Sequence, residues 1–280
     1  IVIPVVILGV FTYRNIRRVI MEQSGKAYLT ALKQAEKNIS YGLEVGTSIA
    51  DLAQSSYDVQ RTLRIVNERP LTHEEQIDFF TILRKKVDGF ENNRNITKMS
   101  YIINGTTKFV SANPHFFSMD KLAEEPVLKP LLNGEIRKGW YYSADLKNIE
   151  LSGKDEIVFI REIRDLNSIN SVLGYVMIEM DAGFIWDILS DLHLPPGAEI
   201  VVRNREYLIQ NLCLSMNSND FVKSFMENTI TKEEGILSYK TGAGSFFTVI
   251  SNIPELHWYV ALLMTEEDMG VNSNNIRTFI

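Results

Sequence analysis

Cysteine is almost absent from this chain, because Cys213 is the only one among 280 residues. A single thiol excludes an internal disulfide bond and a thiolate metal cluster. Histidine is scarce as well, and the four histidines, at positions 73, 115, 193 and 257, lack the spacing of metal ligands. The Gly-x-Ser-x-Gly turn that carries a catalytic serine in many hydrolases is also missing. The sequence therefore predicts no metal site, no cofactor and no catalytic residues.

An excess of positive charge is missing too. The chain carries 29 Lys and Arg residues against 35 Asp and Glu residues, which gives a net charge of -6 at pH 7. No cluster of basic residues alternates with aromatic ones, so nucleic acid is not an expected partner. The share of hydrophobic residues, 45%, and of charged residues, 23%, is typical of a soluble folded protein.

The chain opens on an uncharged apolar segment, Ile1–Phe11. A bilayer span needs about 20 apolar residues, so this segment is too short to cross a membrane by itself. Arg14, Arg17 and Arg18 follow it, and basic residues commonly lie at the lipid headgroups where a helix leaves a membrane. We therefore predict that residues 1–13 are the truncated end of a transmembrane helix. A buried helix end or the core of a signal peptide is the alternative.

Residues 14–67 follow one helical pattern and contain no proline. Apolar or small side chains recur at steps of three and four, which places them on one stripe of a helix. The stripe consists of Ile16, Ile20, Ala27, Ala31, Ala35, Ile39, Leu43, Gly46, Ile49, Ala53, Tyr57, Leu63 and Val66, with a polar interruption at Gln60. A single helix of this length would reach roughly 75 Å. A helical hairpin is the alternative, but the absence of a turn-forming cluster favours one extended spine.

A first module is predicted for residues 68–192. Thr72 and Glu75 form a capping box that starts a helix reaching about residue 90. Asn104-Gly105 is a strong hairpin signal between strands predicted at 98–103 and 108–111. Asp120 is expected to cap a short helical stretch. The remaining predicted elements are strands at 139–143, 155–165 and 172–181 and a helix at 183–192.

A second module is predicted for residues 193–268, because Pro195-Pro196-Gly197 marks a boundary. Its expected elements repeat the order of the first module: strands at 199–203 and 206–210, a helix at 219–230, and strands at 235–241, 245–252 and 258–264. Each module then forms an antiparallel sheet of about five strands with flanking helices, so the fold class is α+β. Residues 269–280 would lead toward a second transmembrane span.

The order of these segments resembles a known family. A long helix leaves an apolar run, Ile157–Arg161 and Leu173–Ile178 form an alternating strand pair, and Leu256–Leu263 is a closing apolar strand. In this order they resemble the double-Cache extracytoplasmic sensor domains of bacterial transmembrane receptors, those of sensor histidine kinases in particular. The resemblance implies two PAS-like modules along one helix. It also implies a ligand site in the membrane-distal first module and a relay in the proximal second one.

Part of the sequence departs from the amino-acid-binding branch of that family. Lys138-Gly139-Trp140-Tyr141 matches its Arg-x-Trp-Tyr signature only in part, with lysine in place of arginine. Leu151-Ser152-Gly153-Lys154 stands where the Tyr-x-Asp start of a strand is expected. The class of ligand therefore stays open, and a saccharide, a carboxylate, an amine or an amino acid would each be a suitable small polar ligand.

The ligand-binding residues that we predict in the first module combine aromatic, hydroxyl and charged groups. Trp140 and Tyr142 give an aromatic strand face on which a sugar ring or a cation could rest; alternatively, Trp140 fills the core. Arg161 shares a strand face with apolar neighbours, so it is expected to pair with Asp181 or Glu179 or to contact a ligand. The full predicted set is Tyr101, Phe109, Ser111, Trp140, Tyr142, Arg161, Glu179 and Asp181.

These features favour the extracellular or periplasmic sensing domain of a signalling receptor in the cell membrane. The domain itself is not expected to be an enzyme, and a sensor histidine kinase of a two-component system is the preferred whole protein. The alternatives are a chemoreceptor, a diguanylate cyclase, a membrane-bound transcription regulator, or a non-sensing binding or structural module of the cell envelope. The helix stripe from Ile16 to Ile39 extends past what the first module can cover, so a homodimer through this segment is also predicted.

Overall fold

The computed structural model describes residues 2–90, 95–103, 115–168, 171–195, 197–212, 234–241 and 244–265. The chain divides into two compact units. Residues 40–186 form the first-sheet unit, whereas residues 1–39 and 187–280 form the second-sheet unit. The first helix contributes to both units, because it runs from Val2 to Ser55 and crosses their boundary.

The described elements have the following bounds. The helices are α1 (Val2–Ser55), α2 (Tyr57–Glu68), α3 (His73–Phe90), α4 (Met119–Ala123), α5 (Lys129–Leu132) and α6 (Gly183–Ser190). The strands are β1 (Ile96–Ile103), β2 (Phe116–Ser118), β3 (Lys138–Tyr142), β4 (Glu156–Arg164), β5 (Val172–Asp181), β6 (Glu199–Arg203), β7 (Leu208–Leu212), β8 (Gly235–Thr241), β9 (Gly244–Ile253) and β10 (Trp258–Thr265). Every strand in the described residues except β2 was predicted from the sequence.

The predicted single helix over residues 14–67 is interrupted at Ser56, which has an extended backbone (φ -68°, ψ 119°). The interruption depends on Gln60, the polar residue in the predicted stripe. Its buried side-chain amide donates to the carbonyl oxygens of Gln54 and Arg164, each at 2.7 Å. The Gln54 carbonyl, which would accept a backbone N–H in a continuous helix, is thus bonded to a side chain instead. The chain therefore forms two helices, and Gln60 fixes their junction to the end of β4.

The first sheet has the strand order β2-β1-β5-β4-β3. Its pairs are antiparallel except β1 with β2, which run parallel. The predicted hairpin partner of β1, at 108–111, lies outside the described residues. One face of the sheet packs against α1, α2 and α3, and this is the helix face. The opposite face, here the outer face, packs against α4, α5 and the segment 146–151.

The second sheet repeats this topology. Its order is β7-β6-β10-β9-β8, so in both sheets the strands follow the order second, first, fifth, fourth, third. All four pairings are antiparallel. Strand β7 begins at Leu208 rather than at the predicted residue 206, because the Asn204 side chain accepts the N–H groups of Glu206 and Tyr207 in a turn. The predicted helix at 219–230 lies outside the described residues. The prediction of two modules with five-stranded sheets is confirmed.

The stripe of α1 between Gly25 and Ile39 is covered within the second-sheet unit. Leu32, Ala35 and Ile39 are buried there, and the Glu36 carboxylate accepts the Ser251 hydroxyl at 2.8 Å. Ala27, in contrast, is exposed. The expectation of an uncovered stripe from Ile16 to Ile39 is therefore wrong at Ala35 and Ile39. The sequence argument counted only the first sheet as a cover for this helix.

Exposed apolar side chains on α1 are concentrated before Gly25. Five lie there, namely Leu8, Phe11, Ile16, Val19 and Ile20, whereas Tyr41 and Leu52 are the large ones exposed further along the helix. No described helix contains a stretch that is long and apolar enough to span a bilayer.

Two predicted helix starts have different outcomes. The capping box is confirmed, because the Glu75 side chain accepts the Thr72 N–H at 2.9 Å and the Thr72 hydroxyl accepts the Glu75 N–H at 3.3 Å. Asp120, in contrast, is not the cap of α4. Ser118 holds that position and its hydroxyl accepts the Asp120 N–H. Asp120 lies in the first turn, where its negative charge still favours the helix start.

Candidate functional site

The predicted ligand-binding residues do not form one group in the structure. Tyr101, Trp140 and Arg161 lie on the helix face of the first sheet, whereas Glu179 lies on the outer face. Alternation along β5 places Glu179 there, because Tyr175 and Met177 belong to the outer core. Phe109 and Ser111 lie outside the described residues. The two faces of one sheet cannot contribute to a single pocket.

The aromatic residues of the helix face form a packed core. The Trp140 ring lies 4.8 Å from the Phe159 ring, centroid to centroid. Its far edge faces Gly46 of α1, where a Cβ atom would come within 3.0 Å. Tyr101 is fully buried and stacks on Phe116 at 6.3 Å. Trp140 is only partly buried and packs with its ring against this core.

Arg161 pairs with Asp51 of α1 and not with Asp181 or Glu179. Sequence reasoning placed Arg161 correctly on the face of Phe159 and Ile163, but it omitted the helix that covers this face. The Asp51 side chain is 52% exposed and that of Arg161 is 25% exposed, so the pair lies at the edge of the core. Burial lowers the pKa of Arg161, and the neighbouring Glu162 partly offsets this effect.

Tyr142 and Asp181 have structural partners near the start of α6. The Tyr142 hydroxyl donates to Asp155 at 2.8 Å, and the Trp186 indole N–H donates to the other oxygen of the same carboxylate at 2.7 Å. Burial and then Asp155 raise the pKa of Tyr142. Asp181 is exposed, and its carboxylate accepts the N–H of Gly183 at 2.8 Å. Both residues therefore hold the end of the sheet to α6.

A different group of polar side chains lies on the outer face, around Glu179. The Glu179 side chain is 0% exposed. One carboxylate oxygen accepts the Ser152 N–H at 2.8 Å, and the other lies 3.4 Å from the ammonium nitrogen of Lys98, too long for a good hydrogen bond. The Lys98 ammonium is also 5.0 Å from the centre of the Phe117 ring, which adds a cation–π contact.

Glu156, which the sequence analysis missed, is the second carboxylate of this group. The residue is 4% exposed, and one of its oxygens has no hydrogen-bond partner among the described residues. Burial and then the adjacent Glu179 raise the pKa of Glu156 to about 7. The signal in the sequence was available, since Glu156 directly precedes the apolar run Ile157–Ile160 and Glu179 lies near the end of the partner strand β5. Strand pairing was needed to bring the two together.

A covering segment, residues 146–155, closes over these carboxylates. Its apolar residues Leu146 and Ile149 are buried in the outer core, and the Glu125 side chain accepts the backbone N–H of Asn148. Gly153 passes so close to Glu156 that a Cβ atom there would lie 3.1 Å from a carboxylate oxygen. The hydroxyls of Ser100 and Tyr141 are also buried without a described partner, and that of Tyr141 lies beside Gly139 of β3.

This outer-face group can bind charge but carries no catalytic arrangement. It has two carboxylates and one ammonium group, whereas a nucleophile with an adjacent base is not present among the described residues. The described residues also contain no cluster of side chains that could hold a metal ion. The chemistry that suits the group is recognition of a small cation.

Comparisons with known proteins agree with this architecture. No protein-family model and no curated protein sequence matches the chain. Among solved structures, the sensory domain of the Campylobacter jejuni chemoreceptor Tlp3 matches with a TM-score of 0.57 at 8% identity, over 91% of this chain and 98% of that chain. The ligand-binding domain of Tlp3 in complex with L-valine gives a TM-score of 0.55 at 7% identity, over 91% and 97%. The sensor domain of the V. cholerae histidine kinase DctB gives 0.52 at 12% identity, over 87% and 98%.

The chain shares the fold of these sensory domains. At these identities the likeness concerns the fold alone, and it covers nearly the whole length of the sensory domains. The fold that was expected from the resemblance to double-Cache domains is confirmed. It also explains why the strand order repeats, since each sheet is one PAS-like module of the pair.

Proposed function

We propose that the chain is the extracytoplasmic domain of a membrane-bound signalling receptor and that it senses a small molecule bearing an ammonium group. The observation that carries this proposal is the buried carboxylate pair Glu156–Glu179 on the outer face of the first sheet, beside a single lysine. The fold supports the sensing role, because the structures that share it are sensory domains of chemoreceptors and histidine kinases.

The charge balance of the pair gives the ligand class. When both carboxylates are ionised, Lys98 supplies one positive charge for two buried negative charges. A buried charge is costly unless it is paired and hydrogen-bonded, so the pair must either hold a proton or receive a second cation. A ligand ammonium placed between Glu156 and Glu179 would supply that charge together with N–H donors. The unpartnered carboxylate oxygen on each residue is a suitable acceptor.

The covering segment gives the signal a route into the fold. Ser152 and Gly153 contact the two carboxylates directly through backbone N–H groups. A ligand that adds a cation between Glu156 and Glu179 changes which conformation of the covering segment has the lowest free energy. A ligand shifts a conformational equilibrium only by its differential affinity for the two states, which is typically about 1–3 kcal/mol. The proposed response is therefore a shift in the position of this segment.

Two receptor classes share this type of domain among the matched structures, histidine kinases and chemoreceptors. We favour a histidine kinase as the whole protein, with a chemoreceptor as the alternative. Membrane attachment through residues 1–13 and a homodimer through α1 belong to the same proposal. The exposed side chains Ile16, Val19 and Ile20 support the dimer, because they form an uncovered apolar face at helical spacing.

The ligand class is tested by calorimetric titration of the 280-residue chain. Isobutylamine and isobutanol have nearly the same shape but differ in charge, so only the amine is expected to bind. Glu179→Gln and Glu156→Gln are each expected to weaken amine binding at least about tenfold, since a hydrogen bond to a charged group contributes about 1.5–3 kcal/mol. The matched control is Glu150→Gln, an exposed carboxylate of the covering segment.

Two results would contradict the proposed ligand class. One is equal binding of the amine and the alcohol, and the other is amine binding that survives both Gln variants unchanged. Affinity should also rise between pH 5.5 and 8, because Glu156 loses its proton near pH 7 and then offers a second negative charge. An affinity that is flat over this range, with folded protein throughout, would remove Glu156 from the site.

A further inference from the structure

A cavity of about 390 Å³ lies at the junction of α1 and α2, in the first-sheet unit. Its volume is within the range of small-molecule pockets, about 300–1,000 Å³. Leu52 and Val59 give it apolar walls, and Ser56, Asp58, Lys86 and Tyr101 give it polar ones. Tyr101 belongs to the helix face of the sheet, so the cavity is separate from the carboxylate pair on the outer face.

Helix α2 begins at this cavity without a side-chain cap. Ser56 is the N-cap residue, and its hydroxyl makes no capping hydrogen bond. The first helical hydrogen bond runs from the Gln60 N–H to the Ser56 carbonyl at 2.9 Å. The N–H groups of residues 57–59 precede it and point out of the helix start, where they and the helix dipole favour a negative charge.

The second observation is the hydroxyl of Tyr101. Tyr101 is fully buried, forms part of the cavity wall, and its hydroxyl has no hydrogen-bond partner in the described part of the chain. Burial raises the pKa of this phenol, so its proton stays in place and the group is a donor. A buried donor without an acceptor is a free-energy cost that a bound acceptor would remove.

Lys86 adds a positive charge at the same cavity. Its ammonium nitrogen lies 3.4 Å from a carboxylate oxygen of Asp58, and both side chains are more than one-third exposed. An exposed pair of this kind contributes little to stability, so Lys86 can turn to another anion at small cost. Asp58 is the one acidic side chain in the wall. The helix start and Lys86 therefore place two positive groups beside one carboxylate in this wall.

We propose that this cavity binds a small organic carboxylate with a short aliphatic body. The carboxylate contacts the start of α2, the Lys86 ammonium and the Tyr101 hydroxyl, while the aliphatic body lies against Leu52 and Val59. This site is independent of the proposed amine site, because it is built on the other face of the sheet and from different residues. A carboxylate would bind at this cavity, whereas the negative charges of Glu156 and Glu179 would repel it.

The test is calorimetric titration of the 280-residue chain with isovalerate and with its neutral amide, isovaleramide. Isovalerate should bind, and the amide should bind at least fivefold more weakly. Tyr101→Phe removes only the hydroxyl and Lys86→Met keeps the aliphatic stem, and each should weaken isovalerate binding at least fivefold. Lys85→Met is the matched control, since Lys85 is exposed and absent from the cavity wall.

Ser56→Asp gives a further arm of the same test. A carboxylate at the N-cap position satisfies the free N–H groups from within the chain, so it should raise thermal stability and abolish isovalerate binding. Glu156→Gln, in the amine site, should leave isovalerate binding unchanged, which separates the two sites. The proposal is overturned by equal binding of isovalerate and isovaleramide. It is also overturned by folded protein that binds no isovalerate, or by binding that survives in Tyr101→Phe, Lys86→Met and Ser56→Asp.

Discussion

Glu156 links the protonation of a single side chain to the stability of the first-sheet unit. Its pKa is raised from 4.5 to about 7 in the folded protein, chiefly by burial. The folded state therefore holds this proton more tightly than the unfolded chain does. The resulting contribution to the free energy of unfolding is complete below about pH 4.5 and is lost as pH rises toward 7. The loss is on the order of 3 kcal/mol at about 1.4 kcal/mol for each pKa unit.

Urea unfolding between pH 4.5 and 8 measures this loss. The quantity compared is the free energy of unfolding of the unchanged chain and of the Glu156→Gln variant. The Gln variant cannot ionise at this position, so its free energy of unfolding should fall less over the interval and should exceed that of the unchanged chain at pH 7.5. Glu150→Gln, at an exposed carboxylate, should follow the unchanged chain. A Glu156→Gln variant that keeps the full pH slope would show that another group causes it.

Arg161→Met tests the pair between β4 and α1. Asp51 stays hydrated when its partner is removed, because its side chain is 52% exposed. The expected loss in the free energy of unfolding is therefore about 0.5–1 kcal/mol, smaller than the roughly 3–5 kcal/mol for breaking a fully buried pair. A double-mutant cycle with Asp51→Asn in urea unfolding gives the coupling energy. A coupling energy above about 3 kcal/mol would show that the pair is much less hydrated than the exposure of its side chains indicates.

At the scale of residues, sequence reasoning identified several important side chains but not their partners. Arg161 was expected to need a partner, since it is a charge among apolar residues of its strand, and Glu179 was named only as a candidate for that partner. The partners, Asp51 and Lys98, lie far away in the chain and became visible only through the sheet register and the covering helix. A pattern of period two assigns residues to alternate faces, but it does not say what covers each face.

At the scale of elements, the glycines of α1 decide how closely this helix approaches its neighbours. A Cβ atom at Gly42 would lie 2.5 Å from a ring carbon of Phe184, which is closer than real Cβ contacts. Gly89 of α3 has nothing within 4 Å of the same position. The two positions therefore differ in packing although both are helical.

Gly42→Ala and Gly89→Ala are expected to change stability in opposite directions. Alanine has the better helix propensity, by roughly 0.8–1 kcal/mol, so Gly89→Ala should stabilise by about that amount. At Gly42 the same gain is outweighed by overpacking against Phe184, which typically costs about 1–3 kcal/mol. Thermal unfolding of both variants provides the comparison. Stabilisation by both substitutions would show that α1 and α6 separate freely.

The start or end of a helix could be predicted where its signal is local in sequence. It could not be predicted where the signal depends on tertiary contacts. The capping box of Thr72 and Glu75 involves four successive residues, and the sequence analysis located it correctly. The junction at Ser56 depends on Gln60 reaching the carbonyl of Arg164, 104 residues further along. Strand β2 was missed for a related reason, because its parallel pairing with β1 has no hairpin signal.

At the scale of the whole molecule, the homodimer proposal concerns the part of α1 before Gly25. Single cysteines at Ile16, Val19 or Ile20, each exposed, should cross-link between two copies in membranes, because a symmetric contact brings identical faces together. A cysteine at Ala35, which is 2% exposed within the second-sheet unit, should not cross-link. Equal yields at all exposed positions around the helix, Lys26 and Lys33 included, would indicate random collision rather than a dimer.

Because α1 contributes residues to both units, the position of each unit in the sequence affects the order in which they can fold. The first-sheet unit is continuous in sequence, from residue 40 to residue 186, so it can complete its fold before the residues that follow it are available. The second-sheet unit needs α1 residues that precede the first-sheet unit in the sequence and strands that follow it. Its closure spans the whole intervening unit, and folding that unit first shortens the loop that must be closed. Mutations that delay the first-sheet unit should therefore leave Leu32, Ala35 and Ile39 exposed for longer in the newly made chain.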